Sequence, residues 1–187
     1  MRKHSFTFCL LLLVSSLLFS QDNKISQDQS IGKSSFFAEL GGPGILFSAN
    51  YDTRFKQSRL GFGGRVGIGF VSAYDEYYDP TTGQYYGGDE ETAITFPVQL
   101  NYIFGKGNSP HAFEVGAGIT YVSKKLNIMN FDSYGNEDQR TQLFGTFCFM
   151  YRRQPVNGGF SWRIGFTPMI GKGYIQAFGG ASVGYNF

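Results

Sequence analysis

The sequence predicts an all-β fold: a closed, antiparallel, eight-stranded up-and-down barrel that crosses a membrane on its strands, preceded by a cleaved signal peptide. Three observations predict it. The chain opens with a short basic segment and an apolar stretch too short to span a bilayer as a helix. Segments of about ten residues then alternate apolar and polar side chains with a period of two. The connections between them alternate short and long, as in barrels whose turns differ at the two membrane faces. Composition agrees: 26 of 187 residues are Gly, aromatics make up 18% and charged residues only 16%. Abundant aromatics exclude disorder, and the shortage of Ala, Leu, Glu and Lys against Gly and β-formers excludes a helical bundle.

Residues 1–20 are read as the signal peptide, with Arg2 and Lys3 before an apolar stretch over 6–19. Cleavage is expected after Ser20, with Ser16 as the alternative. Cys9 lies inside the apolar stretch rather than after it, which argues against a lipoprotein. Without Arg2 and Lys3 the chain carries 14 basic and 14 acidic residues, so no basic patch for nucleic acid is expected. Cys148 is then the one remaining cysteine, and no intramolecular disulfide can form. No apolar run in the mature chain is long enough for a transmembrane helix, but a barrel averages out in hydropathy and needs none.

Residues 21–34 are polar and read as a periplasmic leader, and 35–187 as the barrel. The first strand, 35–41, ends at the turn Gly41-Gly42-Pro43-Gly44. The second, 45–55, alternates most cleanly: Ile45, Phe47, Ala49, Tyr51, Thr53 and Phe55 against Leu46, Ser48, Asn50, Asp52 and Arg54. After the polar turn 56–59, the third, 60–74, sets Leu60, Phe62, Val66, Ile68 and Phe70 against Arg65 and glycines. A long acidic, Tyr-rich loop is expected over 75–91. The fourth strand, 92–104, contains Pro97, which lacks a donor for the ladder and predicts a bulge. The fifth, 111–123, is followed by a second long loop, 124–139. The sixth covers 140–152 and the seventh 160–170. In the eighth, 175–187, Ile175, Ala177, Ala181, Val183, Tyr185 and Phe187 face opposite Gln176, Ser182 and Asn186. Both ends of the barrel then fall on the short-turn side, the periplasm.

Alternation does not say which face is outside, but volume does. An eight-stranded lumen is just wide enough for ordinary side chains and cannot hold the Phe- and Tyr-rich face, which must meet lipid. A soluble periplasmic barrel binding an apolar ligand would require the reverse. Tyr51, Phe55, Tyr102, Phe104, Tyr151, Phe160, Trp162, Tyr185 and Phe187 gather at the periplasmic strand ends as an interfacial girdle.

Seven charges fall on the lumen face: Glu39, Asp52, Arg54, Arg65, Glu114, Arg152 and Arg163. They are expected to form an ion-pair network that plugs and staples the lumen; a narrow channel or small-solute carrier is the alternative. No enzyme is expected. His111, the one histidine of the mature chain, lies beside a periplasmic turn and has no Ser or Cys to activate. The acidic stretches at 75–91 and 132–138 lack EF-hand spacing and read as solvated charge rather than a metal site. No cofactor is implied.

The segments Phe37-Ala38-Glu39-Leu40-Gly41-Gly42, Asn50-Tyr51, Phe113-Glu114-Val115-Gly116-Ala117-Gly118, Arg163-Ile164-Gly165-Phe166-Thr167-Pro168 and Val183-Gly184-Tyr185-Asn186-Phe187 resemble a family of small, uncharacterised outer-membrane β-barrels. In size and layout the chain is similar to OmpA/OmpX-type barrels. The terminal strand, closing on Phe187, resembles the terminal strand of bacterial outer-membrane barrels. The resemblance implies a Gram-negative outer membrane, the barrel assembly machinery as a partner, Val183, Tyr185 and Phe187 as an assembly signal, and no known activity. The expected role is that of a monomer, structural or interactive at the cell surface through loops 75–91 and 124–139.

Overall fold

The computed structural model describes residues 32–74, 77–79, 81–87, 89–126, 128, 141–172 and 174–187. The expected signal peptide and all but the end of the leader lie outside them. The alternating sequence folds into β1 (Ser34–Gly41), β2 (Phe47–Arg54), β3 (Gly61–Tyr74), a short ribbon of β4 (Tyr77–Asp79) and β5 (Gln84–Tyr86), β6 (Glu90–Gly105), β7 (His111–Val122), β8 (Leu143–Arg153), β9 (Gly159–Phe166), β10 (Met169–Gly171), β11 (Tyr174–Gln176) and β12 (Gly179–Asn186).

Eight of these paths make the barrel, because two strands are each written in two pieces. β9 and β10 hold one register against β8, as Phe149↔Phe166 and Thr146↔Met169 show. The break falls at Thr167–Pro168, where proline cannot donate; the Pro168 carbonyl still accepts from Phe147 N at 3.0 Å. β11 and β12 likewise keep one register against β10 and β9, bridged by Thr167 N donating to Phe178 O at 2.7 Å. Each path pairs antiparallel with its neighbour in sequence, and β12 pairs with β1 to close the ring. Ser34 N donates to Phe187 O at 3.0 Å and Phe187 N to Ser34 O at 2.9 Å, sealing the seam.

The closed ring is staggered. The partners of Ser35 run through Asp52, Arg65, Gln99, Gly118, Thr146, Met169 and Gln176, whose register with β1 falls at position 45, ten residues beyond the start. Such a stagger obliges the strands to tilt, which sets the barrel's diameter.

Outward residues form an apolar belt. Leu40, Phe62, Leu100 and Ile175 are each about two-thirds exposed, at 65%, 65%, 64% and 66%. A contiguous belt of this kind is not a surface for water; it suits hydrocarbon, and the strands are transmembrane strands. The opposite arrangement, an apolar interior for a soluble ligand-binding barrel, is not what the chain adopts. The girdle aromatics are in mutual contact: Tyr51 with Phe36 at 5.0 Å between ring centroids, Phe36 with Phe187 at 5.7 Å, Tyr102 with Phe104 at 4.5 Å and Tyr151 with Trp162 at 5.3 Å.

Several expectations are corrected. Pro97 makes no bulge. The pairs on either side of it, Val66↔Val98 and Gly69↔Thr95, keep one register, so the proline removes ladder bonds without adding a residue. The 75–91 stretch is not all loop: β4 and β5 pair around the turn at Thr81-Thr82-Gly83, where Gly83 has φ 70°, and β6 begins at Glu90. Ile45, expected on the lipid face, is buried in the lumen with φ 76°, while Leu46 is exposed. The left-handed backbone at Ile45 swaps the faces of these two residues, a strained state for a β-branched side chain. Most of the 124–139 loop lies outside the described residues, although Leu126 is buried.

Candidate functional site in the barrel lumen

Because the side chains alternate, each barrel strand contributes every second residue to the interior, and the seven charges named above are all buried there. Glu39 comes from β1, Asp52 and Arg54 from β2, Arg65 from β3, Glu114 from β7, Arg152 from β8 and Arg163 from β9. The lumen brings all seven together. Glu114 is the hub: its carboxylate accepts from Arg152 Nη1 at 3.0 Å, Arg163 Nη1 at 3.2 Å and Asn101 Nδ2 at 2.8 Å. Asp52 accepts from Arg152 at 2.9 Å and from Arg54. Glu39 accepts from Arg65 Nη1 at 3.3 Å and lies 3.8 Å from Arg163 Nη2. Four guanidiniums face three carboxylates, a formal excess of one positive charge.

Neutral residues extend the network across the barrel. Asn101 also accepts from Arg54 at 2.7 Å and donates to Asp52 at 3.1 Å. Gln99 accepts from Arg65 at 2.6 Å and donates to Thr146 at 2.9 Å. Phe37 is drawn inward with them: the Arg163 guanidinium sits 3.4 Å from its ring centroid and that of Arg65 at 5.5 Å. Cation–π contact of this kind gives the excess guanidinium a partial counterweight. Alternation puts Phe37, Gln99 and Asn101 on the inner face, but nothing in their residue types marks them as members of a charge network.

Buried segments lie at both ends of the lumen, and the alternation of the sequence announces neither. At the long-loop end the β1–β2 connection turns inward as a buried 3₁₀ turn, Gly42–Gly44. Thr120 Oγ1 donates to Pro43 O at 2.6 Å and Thr95 Oγ1 to Gly44 O at 3.0 Å. Only glycine fits at position 42, where φ is +67° and a Cβ would come within 2.6 Å of the Glu39 carboxyl carbon. Around this turn Ile45, Val71, Val122, Leu126, Phe144 and Met169 pack as an apolar cluster, so the interior is not polar throughout. At the short-turn end Arg59 is buried and donates to the carbonyls of Lys106 (2.8 Å), Gly107 (3.1 Å), Ser109 and Gln154 (3.4 Å), tying three turns together. Gln154 answers by donating to Arg59 O at 3.0 Å. Burial, reinforced by the Arg152 charge, holds the Arg59 guanidinium below its usual pKa. Both residues read as ordinary polar turn residues, and their reach across the mouth depends on the closed ring.

The remaining singled-out residues lie elsewhere. Cys148 is buried beside the network, its Sγ 4.0 Å from Glu114 Oε1. His111 faces outward and shares a hydrogen bond with Tyr151 Oη. Val183 and Tyr185 face outward on β12, and Phe187 stacks on Phe36 at the seam. Among the described residues, no group of three or more His, Cys, Asp or Glu is placed to hold a metal.

The fold and lumen together define a small, closed, eight-stranded antiparallel transmembrane barrel with an apolar outer wall and a charged lumen. Scans against protein-family models and curated proteins found no match. Among solved structures, the chain is similar to the crystal structure of the N-terminal β-barrel domain of Pseudomonas aeruginosa OprF, with 15% identity and a TM-score of 0.49 over 83% of this chain and 96% of that one. It is the closed register, not this likeness, that defines the barrel.

Proposed function

We propose that this chain is an integral protein of the bacterial outer membrane, exported by its signal peptide and inserted by the barrel assembly machinery. Its lumen is plugged, and its role is structural or interactive at the cell surface rather than catalytic or conductive. One observation supports the reading: a buried network of ion pairs and hydrogen bonds crosses the lumen, and the in-turned Gly42–Gly44 segment and the Arg59–Gln154 clasp lie at its two ends. A path for ions or solutes would require these contacts to part together. The β4–β5 ribbon and the loop at 124–139 are the surfaces offered to a partner, and Val183, Tyr185 and Phe187 are read as the assembly signal. The protein works as a monomer.

Purified barrel in planar bilayers should give no steady conductance. Reproducible unitary steps would replace this reading with the narrow channel. Cell fractionation tests the location separately: the protein should remain with detergent-resistant outer membranes and run with heat-modifiable mobility, and recovery as a freely soluble periplasmic protein would overturn it.

A further inference from the structure

Around the short-turn end, the outward residues nearest the strand ends are almost all aromatic: Phe55, Phe62, Phe104, Phe160, Tyr185 and Phe187 are all exposed. One sector departs from this. His111 is registered with Arg153 across β7 and β8, and Arg153 with Trp162 across β8 and β9. All three face outward, and His111 and Arg153 are exposed. One residue past the last β6–β7 pair, Gly105↔Ala112, the turn adds exposed Lys106. Three neighbouring strands thus set a basic and aromatic row at one level of the barrel wall, with Lys106 exposed just past the end of a fourth.

The row is built rather than scattered. Tyr151 lies behind it, its ring 5.3 Å from Trp162 and 6.0 Å from His111. The hydrogen bond between Tyr151 Oη and His111 Nδ1 fixes the imidazole and leaves Nε2 as the ring nitrogen available to a ligand. Among the described residues no carboxylate lies within ion-pair distance of Arg153 or Lys106. In the lumen, by contrast, every guanidinium of the network has a carboxylate partner. A cation left without an anion at the edge of an apolar belt is complementary to the anionic layer that meets the belt there.

We propose that Arg153, His111, Trp162 and Tyr151 form a headgroup site for an anionic phospholipid. The guanidinium fork donates to the phosphodiester oxygens. The site uses the tautomer in which Tyr151 Oη donates to His111 Nδ1, so that Nε2 carries the ring proton and, with the indole N–H, supplies further donors; the acyl chains lie against Phe113 and Phe149 on the same outward face. The site rests on the membrane reading above.

The chain contains a single tryptophan, Trp162, so the site carries its own reporter. The barrel would be reconstituted in phosphatidylcholine vesicles containing a fixed fraction of acyl-brominated phosphatidylglycerol or, in parallel, acyl-brominated phosphatidylcholine, and Trp162 quenching compared. One basic residue near anionic lipid corresponds to about a fivefold preference, so brominated phosphatidylglycerol should occupy the site about fivefold more effectively. Arg153→Gln should bring the two lipids close to parity, Arg153→Lys should retain part of the preference, and Lys56→Gln, on the exposed β2–β3 turn, should leave it unchanged. Equal quenching by both lipids in the unaltered protein, or a preference that survives Arg153→Gln, overturns the site while leaving the membrane reading intact. Absence of quenching by either lipid overturns both.

Discussion

Replacing Glu114 by Gln should be the most damaging isosteric change in the barrel. The carboxylate is fully buried and accepts from two guanidiniums and one amide, at 3.0, 3.2 and 2.8 Å. Gln keeps the volume but removes the charge, raising the formal excess in the lumen from one positive charge to two. Removing one partner of a buried ion pair costs about 3–5 kcal/mol because the other is left uncompensated. Here the guanidiniums are not abandoned: Arg152 keeps Asp52 at 2.9 Å, and Arg163 keeps Ser182 at 2.9 Å and Phe37 beneath it. The loss should therefore fall at the lower end, about 3 kcal/mol. Urea unfolding of the barrel in lipid vesicles, followed by Trp162 fluorescence and heat-modifiable mobility, measures it. The double variant Glu114→Gln, Arg163→Met should recover part of the loss, since it returns the formal excess in the lumen from two positive charges to one. Stability within about 0.5 kcal/mol of the original, the range of an ordinary surface substitution, would refute the role of Glu114 as hub. Strictly additive losses in the double variant would refute its coupling to Arg163.

Three further outcomes are expected. Ile68→Arg places a charge on a side chain that is 54% exposed in the apolar belt and should weaken insertion by about 2–4 kcal/mol if it lies near the midplane; Gly64→Ala, whose Cβ would meet nothing closer than 3.6 Å, should be nearly silent, and equal effects on vesicle insertion would mean the outward face is misassigned. Deleting Phe187 removes the ring stacked on Phe36 and two backbone bonds to Ser34, so the heat-modifiable fraction should fall at assembly, and undiminished folding yield would dismiss the seam's importance. Arg59→Met unties the short-turn mouth, and hydrogen exchange at the Ser109 amide, which donates to Lys106 O at 3.1 Å, should quicken by about tenfold for each 1.4 kcal/mol of local stability lost; unchanged protection would show that the clasp is incidental.

The strands and their faces were legible in the sequence because a period of two is a local property and eight segments repeat it. The seven lumen charges were legible for the same reason: each sits on the face opposite Phe and Leu. Pairings among them were not, since Glu114 meets Arg152 across one register and Arg163 across the barrel's curvature, and both depend on closure. Ile45 is assigned to the wrong face because its backbone at φ 76° inverts the alternation; the turn Gly41-Gly42-Pro43-Gly44 before it announces a change of direction but not the residue at which the strand resumes. The Arg59 clasp was missed because its partners are backbone carbonyls, which have no sequence signature.

The buried charges also bear on how one register is chosen. A strand that slips by one residue turns its whole inner face outward. For β2 that slip would put Asp52 and Arg54 into the apolar belt, and for β8 it would expose Arg152. A basic residue near the bilayer midplane costs about 2–4 kcal/mol, so each charged strand carries its own penalty against the wrong phase. Replacing buried ion pairs by apolar residues of equal volume is often neutral or stabilising, but an apolar lumen would leave both faces of each strand acceptable to lipid. β6 is the test of this logic within the molecule. It places no charge in the lumen, only Thr95, Gln99 and Asn101 among its polar residues, and it contains Pro97. Its phase is held instead from both sides, by Arg65 on Gln99 and by Arg54 and Glu114 on Asn101. In β6, one of the two barrel paths without a lumen charge (the β11–β12 path is the other), the amides transmit the phase that its charged neighbours impose.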